Sequence, residues 1–285
     1  MDQQRFWEAY QVVQQAISLE IPAGGEGVHL VDEVGSTNQM VWERLEQTNA
    51  SEIVVIARSQ TAGRGQRGRQ WQSEPGGLYL SVGITPTIAA VQAPELTLCS
   101  AWGIATALRQ IPSRLSGVET FIPVQIKWLN DLVLGGRKLG GILTETRVQQ
   151  EQVTKAVVGV GINWTNSVPE TGIRLQEFLE KQPDPLIESL EMLAAIALFG
   201  IRWGVYRREQ EGMATLLQDY VDLLAHRDRP LPIQGQLATI VGITPAGELR
   251  VRLESAEMPN HLLTKETERD EILIKPGTIS LGYPL

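Results

Sequence analysis

The chain has 285 residues with a formal net charge of −8 at pH 7, and 42% of its residues are hydrophobic. This size suits one large domain, or a large and a small one, and the acidic charge argues against a general nucleic-acid coat, because duplex binding depends on many Lys and Arg contacts to phosphate. The single cysteine, Cys99, excludes an internal disulfide framework and a thiolate zinc cluster. No apolar run approaches the roughly 20 residues of a membrane span, and no export signal opens the chain. We therefore expect a cytoplasmic protein.

Residues 1–20 carry the pattern of a short amphipathic helix, in which Phe6, Tyr10, Val13 and Ile17 are spaced by three and four. Pro22 and the glycines that follow it end this helix. We expect no winged helix-turn-helix here, because the segment before Pro22 is too short for that DNA-binding module.

A serine-threonine turn follows a short apolar stretch at residues 28–31. Ser36 and Gln39 have the spacing of a capping box, and the apolar pattern of a helix continues after them. One interpretation of the Ser36 and Thr37 hydroxyls is therefore helix capping. The other is contact with a polar ligand at the helix N-terminus, and the two are compatible.

Residues 60–71 (QTAGRGQRGRQW), here called the glycine–arginine loop, lie between a buried strand at 53–57 and a half-buried strand at 78–84. Glycine lets the backbone adopt positive φ angles and approach a ligand closely, and arginine offers planar donor forks that suit phosphate and carboxylate. One interpretation is a mobile loop that closes over an anionic ligand. A solvated arginine-rich loop and a contact for single-stranded RNA are the alternatives, and the loop alone does not decide between them.

Buried strands and one long helix make up the middle of the chain. Cys99 lies in that helix, where ordinary packing is the expected role. Gly159 and Gly161 share one face of a strand, which indicates either a group lying flat against it or a crowded sheet crossing. The predicted elements are a helix from Pro94 to Pro112, a strand at 124–129, a break at Asn130-Asp131, a hairpin of 132–134 and 138–146, and a strand at 157–163.

The remainder predicts a helical region and then a small β domain. After a loop at 164–172, Asp184 is the expected cap of a long helix with Pro185 in its first turn, and a second helical segment covers 213–224. Short strands are predicted at 235–241, 247–253, 271–275 and 278–281, a pattern that suits an SH3-like β-barrel. We therefore expect a catalytic domain at 1–228 and a small C-terminal domain at 229–285.

The polar residues of this sequence do not match the pattern of a hydrolytic active site. The sequence offers no Ser-His-Asp order, no paired acids, no His/Cys ligand set, no P-loop and no GxGxxG motif that opens a helix. Basic glycine-rich segments instead suit a reaction between two anions, such as a carboxylate attacking the α-phosphate of ATP. That reaction needs charge neutralisation and alignment rather than a general base, and a closing loop would keep water from the acyl-adenylate.

Five motifs together resemble the motif series of biotin protein ligases, in the order of that family and over residues 30 to 165. The β-rich C-terminal part is also similar to the family's C-terminal domain. The motifs are Ser36-Thr37-Asn38, the glycine–arginine loop, Lys127-Trp128-Leu129-Asn130-Asp131, Arg137-Lys138-Leu139-Gly140-Gly141 with Ile142-Leu143, and Gly159-Val160-Gly161-Ile162-Asn163.

The resemblance implies an α/β fold with a central mixed sheet, flanking helices and a C-terminal SH3-like barrel. It implies Lys138 and Arg69 as catalytic residues, with Lys138 between the biotin carboxylate and the α-phosphate. It implies biotin contacts from Ser36, Thr37, Asn38, Gln60, Gly63, Arg64, Gly65, Trp71, Lys138, Gly159 and Gly161. The implied adenylate contacts are Arg64, Gln66, Arg67, Arg69, Asn130, Lys138 and Asn163. Asp131 is a candidate contact for magnesium or for the acceptor lysine. The alternative role for Asn130 and Asp131 is turn formation.

The chain departs from the family pattern in three ways. Leu129 stands where proline is usual, Gln66 stands where the middle arginine of the loop is usual, and the N-terminal DNA-binding domain of the bifunctional members is not expected.

The implied activity is a monofunctional biotin protein ligase. Biotin and ATP would be its substrates, with Mg²⁺, and its partner would be the biotin carboxyl carrier domain of acetyl-CoA carboxylase or a related carboxylase. Neither DNA nor a membrane is an expected partner, and a homodimer through the sheet edge is an open expectation. The alternatives are a lipoyl or octanoyl transferase of related fold and, from a different class, a nucleic-acid-binding regulator.

Overall fold

A mixed β-sheet forms the centre of the computed structural model, which describes residues 1–21, 27–116, 122–182, 187–227, 229–233, 235–254, 271–279 and 281–283. Its described strands are β1 (Val28–Val34), β2 (Glu52–Gln60), β3 (Leu78–Ile84), β4 (Ile88–Ala89), β5 (Gln125–Lys127), β6 (Asp131–Leu134), β7 (Arg137–Gln149) and β8 (Gln152–Ile162).

The strand order is β1-β2-β3-β8-β7-β6-β5, and β4 pairs with β8. β1 and β2 are parallel, and the other pairs are antiparallel. The predicted central mixed sheet is therefore confirmed. As expected, the glycine–arginine loop connects two neighbouring strands, β2 and β3.

Helices cover both faces of this sheet. Val54 and Ile56 of β2 point into a core shared with α1, α3 and α5, whereas Ile53 and Val55 point into a smaller core beneath α2. Because both faces are covered, β3 is buried along nearly its whole length, and the expectation of a half-buried strand was wrong. The described helices are α1 (Gln3–Ile17), α2 (Thr37–Gln47), α3 (Ala93–Ser116), α4 (Leu175–Leu179), α5 (Leu190–Glu211) and α6 (Met213–Asp222).

One predicted capping interaction and two helix boundaries differ from the prediction. Ser36 is the N-cap residue of α2, but its side chain makes no capping hydrogen bond, so the capping box is wrong. α3 continues past Pro112 to Ser116, because a proline removes one backbone donor without ending every helix. The Asp184-Pro185 start lies outside the described residues, and α5 begins at Leu190 with the Ser189 hydroxyl accepting from the backbone N–H of Met192.

A separate antiparallel sheet follows the last helix, in the order β12-β11-β10-β9. Its strands are β9 (Leu231–Ile233), β10 (Gln236–Ile243), β11 (Leu249–Leu253) and β12 (Glu271–Ile274). β9 was not predicted, and the described residues at 278–281 do not form the expected fourth strand.

Within the described part of the chain, no helix is both long and apolar enough to cross a membrane.

Glycines allow α3 and α5 to cross at close range. A Cβ on Gly204 would overlap the carbonyl oxygen of Cys99, and one on Gly103 would overlap that of Gly200. Cys99 is fully buried at this crossing, as expected for a packing role, and burial raises the pKa of its thiol to about 12.

We expect Gly204→Ala to lower the free energy of unfolding by about 2 kcal/mol, because a methyl group inserted against a backbone carbonyl forces the two helices apart. Chemical denaturation would measure the change. Gly35→Ala is the matched control, since a Cβ at Gly35 would have no neighbour within 4 Å. Equal free energies for the two variants would contradict the prediction.

Candidate functional site

A cavity of about 210 Å³ opens where the glycine–arginine loop faces the hairpin of β6 and β7. It also touches the first turn of α2, the glycines of β8, and Pro276, Gly277, Ile279 and Leu281. Most of the site residues implied by the sequence line it, namely Ser36, Thr37, Asn38, Gln60, Arg64, Gly65, Gln66, Arg67, Arg69, Trp71, Asn130, Asp131, Lys138, Gly159 and Gly161.

A buried hydrogen-bond network forms one end of the cavity. Oε1 of Gln60 accepts from the backbone N–H of Thr37 at 2.8 Å and from its hydroxyl at 3.0 Å, and Nε2 of Gln60 donates to the Ser73 hydroxyl at 2.8 Å. The Ser81 hydroxyl lies 2.7 Å from Oγ1 of Thr37 and 2.6 Å from Oδ1 of Asn38. This network fixes the two side chains of α2, and it presents amide and hydroxyl groups to a polar ligand.

Glu145 of β7 joins this network to the glycine–arginine loop. Its carboxylate accepts from Nδ2 of Asn38 at 2.8 Å and pairs with the guanidinium of Arg64 at 2.9 Å. The sequence did not identify Glu145 and Ser81 as site residues. The one available signal was that each is a polar residue within a predicted strand. Their partners lie far away in sequence, so local patterns could not assign them.

Side chains of the protein lie against the glycine face of β8. A Cβ on Gly161 would be 2.5 Å from Nε1 of Trp71, and one on Gly159 would overlap the amide of Asn38. The glycines are therefore required for these two side chains to approach the strand. Nε1 of Trp71 is buried with no hydrogen-bond partner in the described structure, so a donor remains available beside the cavity.

Lys138 and Asp131 form an ion pair at the other end of the cavity. Nζ of Lys138 lies 2.7 Å from Oδ1 of Asp131 and 5.2 Å from the centroid of the Trp71 ring. Lys127 Nζ lies 3.9 Å from Oδ2 of the same aspartate. Burial lowers the pKa of the Lys127 amino group, and Asp131 partly opposes this effect.

Asn130 lies between β5 and β6 and is bonded to β7. Its Nδ2 donates to the carbonyl of Ile142 at 2.7 Å, and its own carbonyl accepts from the Ile142 N–H at 2.9 Å. These bonds fix the Asn130 side chain at the edge of the cavity. The preceding peptide bond between Trp128 and Leu129 is cis.

Two implied residues do not line the cavity. Gly63, within the loop, packs against the chain that follows, where a Cβ would overlap the Ser73 hydroxyl and the Trp71 carbonyl oxygen. Asn163 supports the backbone of the β7 hairpin, since its Nδ2 donates to the carbonyl of Lys138 at 3.3 Å.

Residues near the C-terminal sheet complete the cavity, and the sequence reasoning missed them. Nη1 of Arg67 donates to the carbonyl of Gly277 at 3.0 Å, and Nε1 of Trp128 donates to the carbonyl of Gly247 at 2.8 Å. Ile279 and Leu281 add apolar surface to the lining. No sequence pattern indicated these contacts, because they depend on how the second sheet lies against the first.

The described lining carries five cationic side chains and one acidic side chain, Asp131, although the whole chain is acidic. A cavity of this charge favours ligands with several negative charges. The described residues contain no group of three or more His, Cys, Asp or Glu side chains that could hold a metal ion. The arrangement therefore suits alignment and charge neutralisation of anionic reactants.

Residues 30–163 match the model of the biotin/lipoate A/B protein ligase family. The chain is 36% identical over 140 residues to the bifunctional ligase/repressor BirA of Bacillus subtilis (48% of this chain, 41% of that protein). It is 31% identical over 210 residues to BirA of Escherichia coli (73% of this chain, 63% of that protein). The chain thus spans less than two thirds of the length of these curated relatives.

The fold is similar to the biotin protein ligase of Aquifex aeolicus, solved in complex with biotin and ATP. The TM-score is 0.58 at 22% sequence identity, and the match covers 87% of this chain and 98% of the other.

Proposed function

We propose, from the match of residues 30–163 to the model of the biotin/lipoate A/B protein ligase family, that this protein is a biotin protein ligase. It activates biotin with MgATP to biotinyl-5′-AMP and then transfers biotin to a lysine of a biotin carboxyl carrier domain of acetyl-CoA carboxylase or a related carboxylase. The observation that carries the proposal is the position of Lys138, whose Nζ lies 5.2 Å from the Trp71 ring centroid in a cavity that the arginines of the glycine–arginine loop also line.

We assign the two substrates to different parts of the cavity. We assign the ureido ring of biotin to the network of Thr37, Gln60 and their neighbours, because an amide and hydroxyl network can both donate to and accept from a urea. The apolar part of biotin lies along Trp71 and the β8 glycines. We assign the biotin carboxylate to Lys138, and the nucleotide to the part of the cavity lined by Arg69, Ile279 and Leu281.

In the first step a biotin carboxylate oxygen attacks the α-phosphorus of ATP, a C–O–P anhydride forms, and pyrophosphate leaves. Both reactants are anionic, so the barrier includes their repulsion, and a point charge at Lys138 lowers it. In the second step the acceptor amine attacks the acyl carbon and AMP leaves. The attacking amine loses a proton, and an amide remains.

Magnesium belongs to the ATP substrate in this scheme. Both oxygens of Asp131 already accept hydrogen bonds, one from Lys138 and one from Tyr283. Because both oxygens already have partners, we assign Asp131 to orienting Lys138 rather than to binding magnesium directly. An ion bound through ATP phosphates needs few protein carboxylates.

The test is calorimetry with biotin and with lipoate, followed by measurement of pyrophosphate release with ATP. We expect heat and biotin-dependent release with biotin only, and a mass increase of an added carrier domain by one biotinyl group. Binding of lipoate in place of biotin would favour the lipoyl or octanoyl transferase. If the protein showed no biotin-dependent pyrophosphate release, or no transfer of biotin to the carrier domain, the proposal would be wrong.

We expect Gln66→Arg to slow the dissociation of biotinyl-5′-AMP about tenfold, equivalent to ~1.4 kcal/mol. Gln66 lines the cavity, and a hydrogen bond to a charged group is stronger than one between neutral groups. Gln72→Arg is the control, since Gln72 is exposed and lies outside the described lining. An unchanged dissociation rate would mean that the three arginines of the loop already hold the intermediate.

The remaining expectations follow from the same proposal. We propose a catalytic domain at 1–228 and a small domain at 229–285, a cytoplasmic location and no specific DNA binding. A homodimer would form through β1, which lies at one edge of the central sheet, because an edge strand offers unpaired backbone groups to a second copy.

A further inference from the structure

Tyr283 makes a direct contact with the ion pair of the site. Its hydroxyl donates to Oδ2 of Asp131 at 2.7 Å, while Lys138 occupies Oδ1 at 2.7 Å. The ring of Tyr283 also covers Lys127, whose Nζ lies 4.1 Å from the ring centroid. One aromatic side chain thus touches both the carboxylate and its second lysine.

The backbone around Tyr283 is held by contacts that do not involve its hydroxyl. Leu281, two residues before Tyr283, is only 7% exposed at the edge of the cavity, and the backbone of Gly282 is hydrogen-bonded to His226. Removal of the hydroxyl alone should therefore leave the ring and its segment in place.

Asp131 lies between two lysines that compete for its charge. Oδ2 is only 3.9 Å from Lys127, so a rotation of the carboxylate would shorten that contact and weaken the one to Lys138. The Tyr283 hydroxyl occupies Oδ2 and opposes this rotation. Burial, and then the Asp131 charge, raise the pKa of Tyr283, so the hydroxyl keeps the proton that it donates.

We propose that Tyr283 is a positioning residue for biotin activation, which acts by holding Asp131 in the orientation that directs Lys138 into the cavity. This inference rests on the proposed function for its catalytic consequence, but the orientation of Lys138 can be measured without activity.

The kinetic test uses Tyr283→Phe, which keeps the ring over Lys127 and removes only the hydroxyl. At saturating ATP, we expect the maximal rate of biotin-dependent pyrophosphate release to fall about tenfold, with the KM for biotin unchanged within twofold. Tyr206→Phe is the control, because Tyr206 lies on α5 outside the described cavity lining. An unchanged maximal rate, or a change in KM alone, would overturn the inference.

A double-mutant cycle tests whether Tyr283 acts through Asp131. If it does, adding Tyr283→Phe to Asp131→Asn causes little further loss, because the carboxylate that it holds is already gone. If the loss of rate in the double variant equals the product of the losses in the two single variants, the inference is overturned.

Trace acetylation followed by peptide mass spectrometry tests the geometry directly. A lysine that loses an anionic partner has a larger fraction of neutral amine, so in Tyr283→Phe we expect faster labelling of Lys138 and slower labelling of Lys127. Lys181, which is exposed and distant in sequence, should not change. If the ratio of Lys138 to Lys127 labelling is the same in the wild type and in Tyr283→Phe, the positioning role is refuted, whether or not the wild type activates biotin. If the wild type releases no pyrophosphate with biotin, only the proposed function is refuted.

Discussion

Lys138→Ala is expected to reduce the rate of biotinyl-5′-AMP formation about 1,000-fold while the protein remains folded. Removal of one group that stabilises developing charge typically costs 10²–10³-fold in rate, and here the same group also offsets the repulsion between two anionic substrates. The side chain is 27% exposed and its partner Asp131 keeps a hydrogen bond from Tyr283, so we expect little loss of stability. Pyrophosphate release with saturating biotin and ATP is the measurement.

Two variants control this experiment. Lys181→Ala removes an exposed lysine outside the described lining and should release pyrophosphate at the wild-type rate. Lys138→Arg keeps the charge but replaces a compact ammonium by a planar fork, and should recover only part of the activity. Near-normal release from a folded Lys138→Ala protein would remove this lysine from the catalytic role.

Gly161→Ala is expected to raise the dissociation constant for biotin at least about 100-fold, or ~2.7 kcal/mol. A Cβ at this position would lie 2.5 Å from Nε1 and 2.6 Å from Cε2 of Trp71, so the indole must move into the space that the apolar part of biotin needs. Calorimetric titration with biotin would measure the effect.

Gly242→Ala is the matched control for this substitution. Gly242 lies in β10, and the nearest atom to an added Cβ there is 3.4 Å away, an ordinary contact distance. Wild-type affinity in a folded Gly161→Ala protein would show that Trp71 does not form the wall of the biotin site.

Local sequence patterns predicted most of the central sheet and the position of the glycine–arginine loop. Strand periodicity depends on residues two apart, and turn chemistry depends on glycine and its immediate neighbours, so both are visible without a structure. The same patterns missed the continuation of α3 past Pro112, where a proline predicted the end of the helix, and the Ser189 cap at the start of α5, although a serine cap is itself a local signal.

The sequence by itself therefore determined the alternation of strands and helices and the cationic, glycine-rich character of the site. Only the tertiary structure decided which groups meet there. Glu145 pairs with Arg64, and Tyr283 reaches Asp131 across 152 positions of the chain. Such contacts depend on strand register and on how the second sheet lies against the first, and a sequence pattern that spans a few residues carries no information about either.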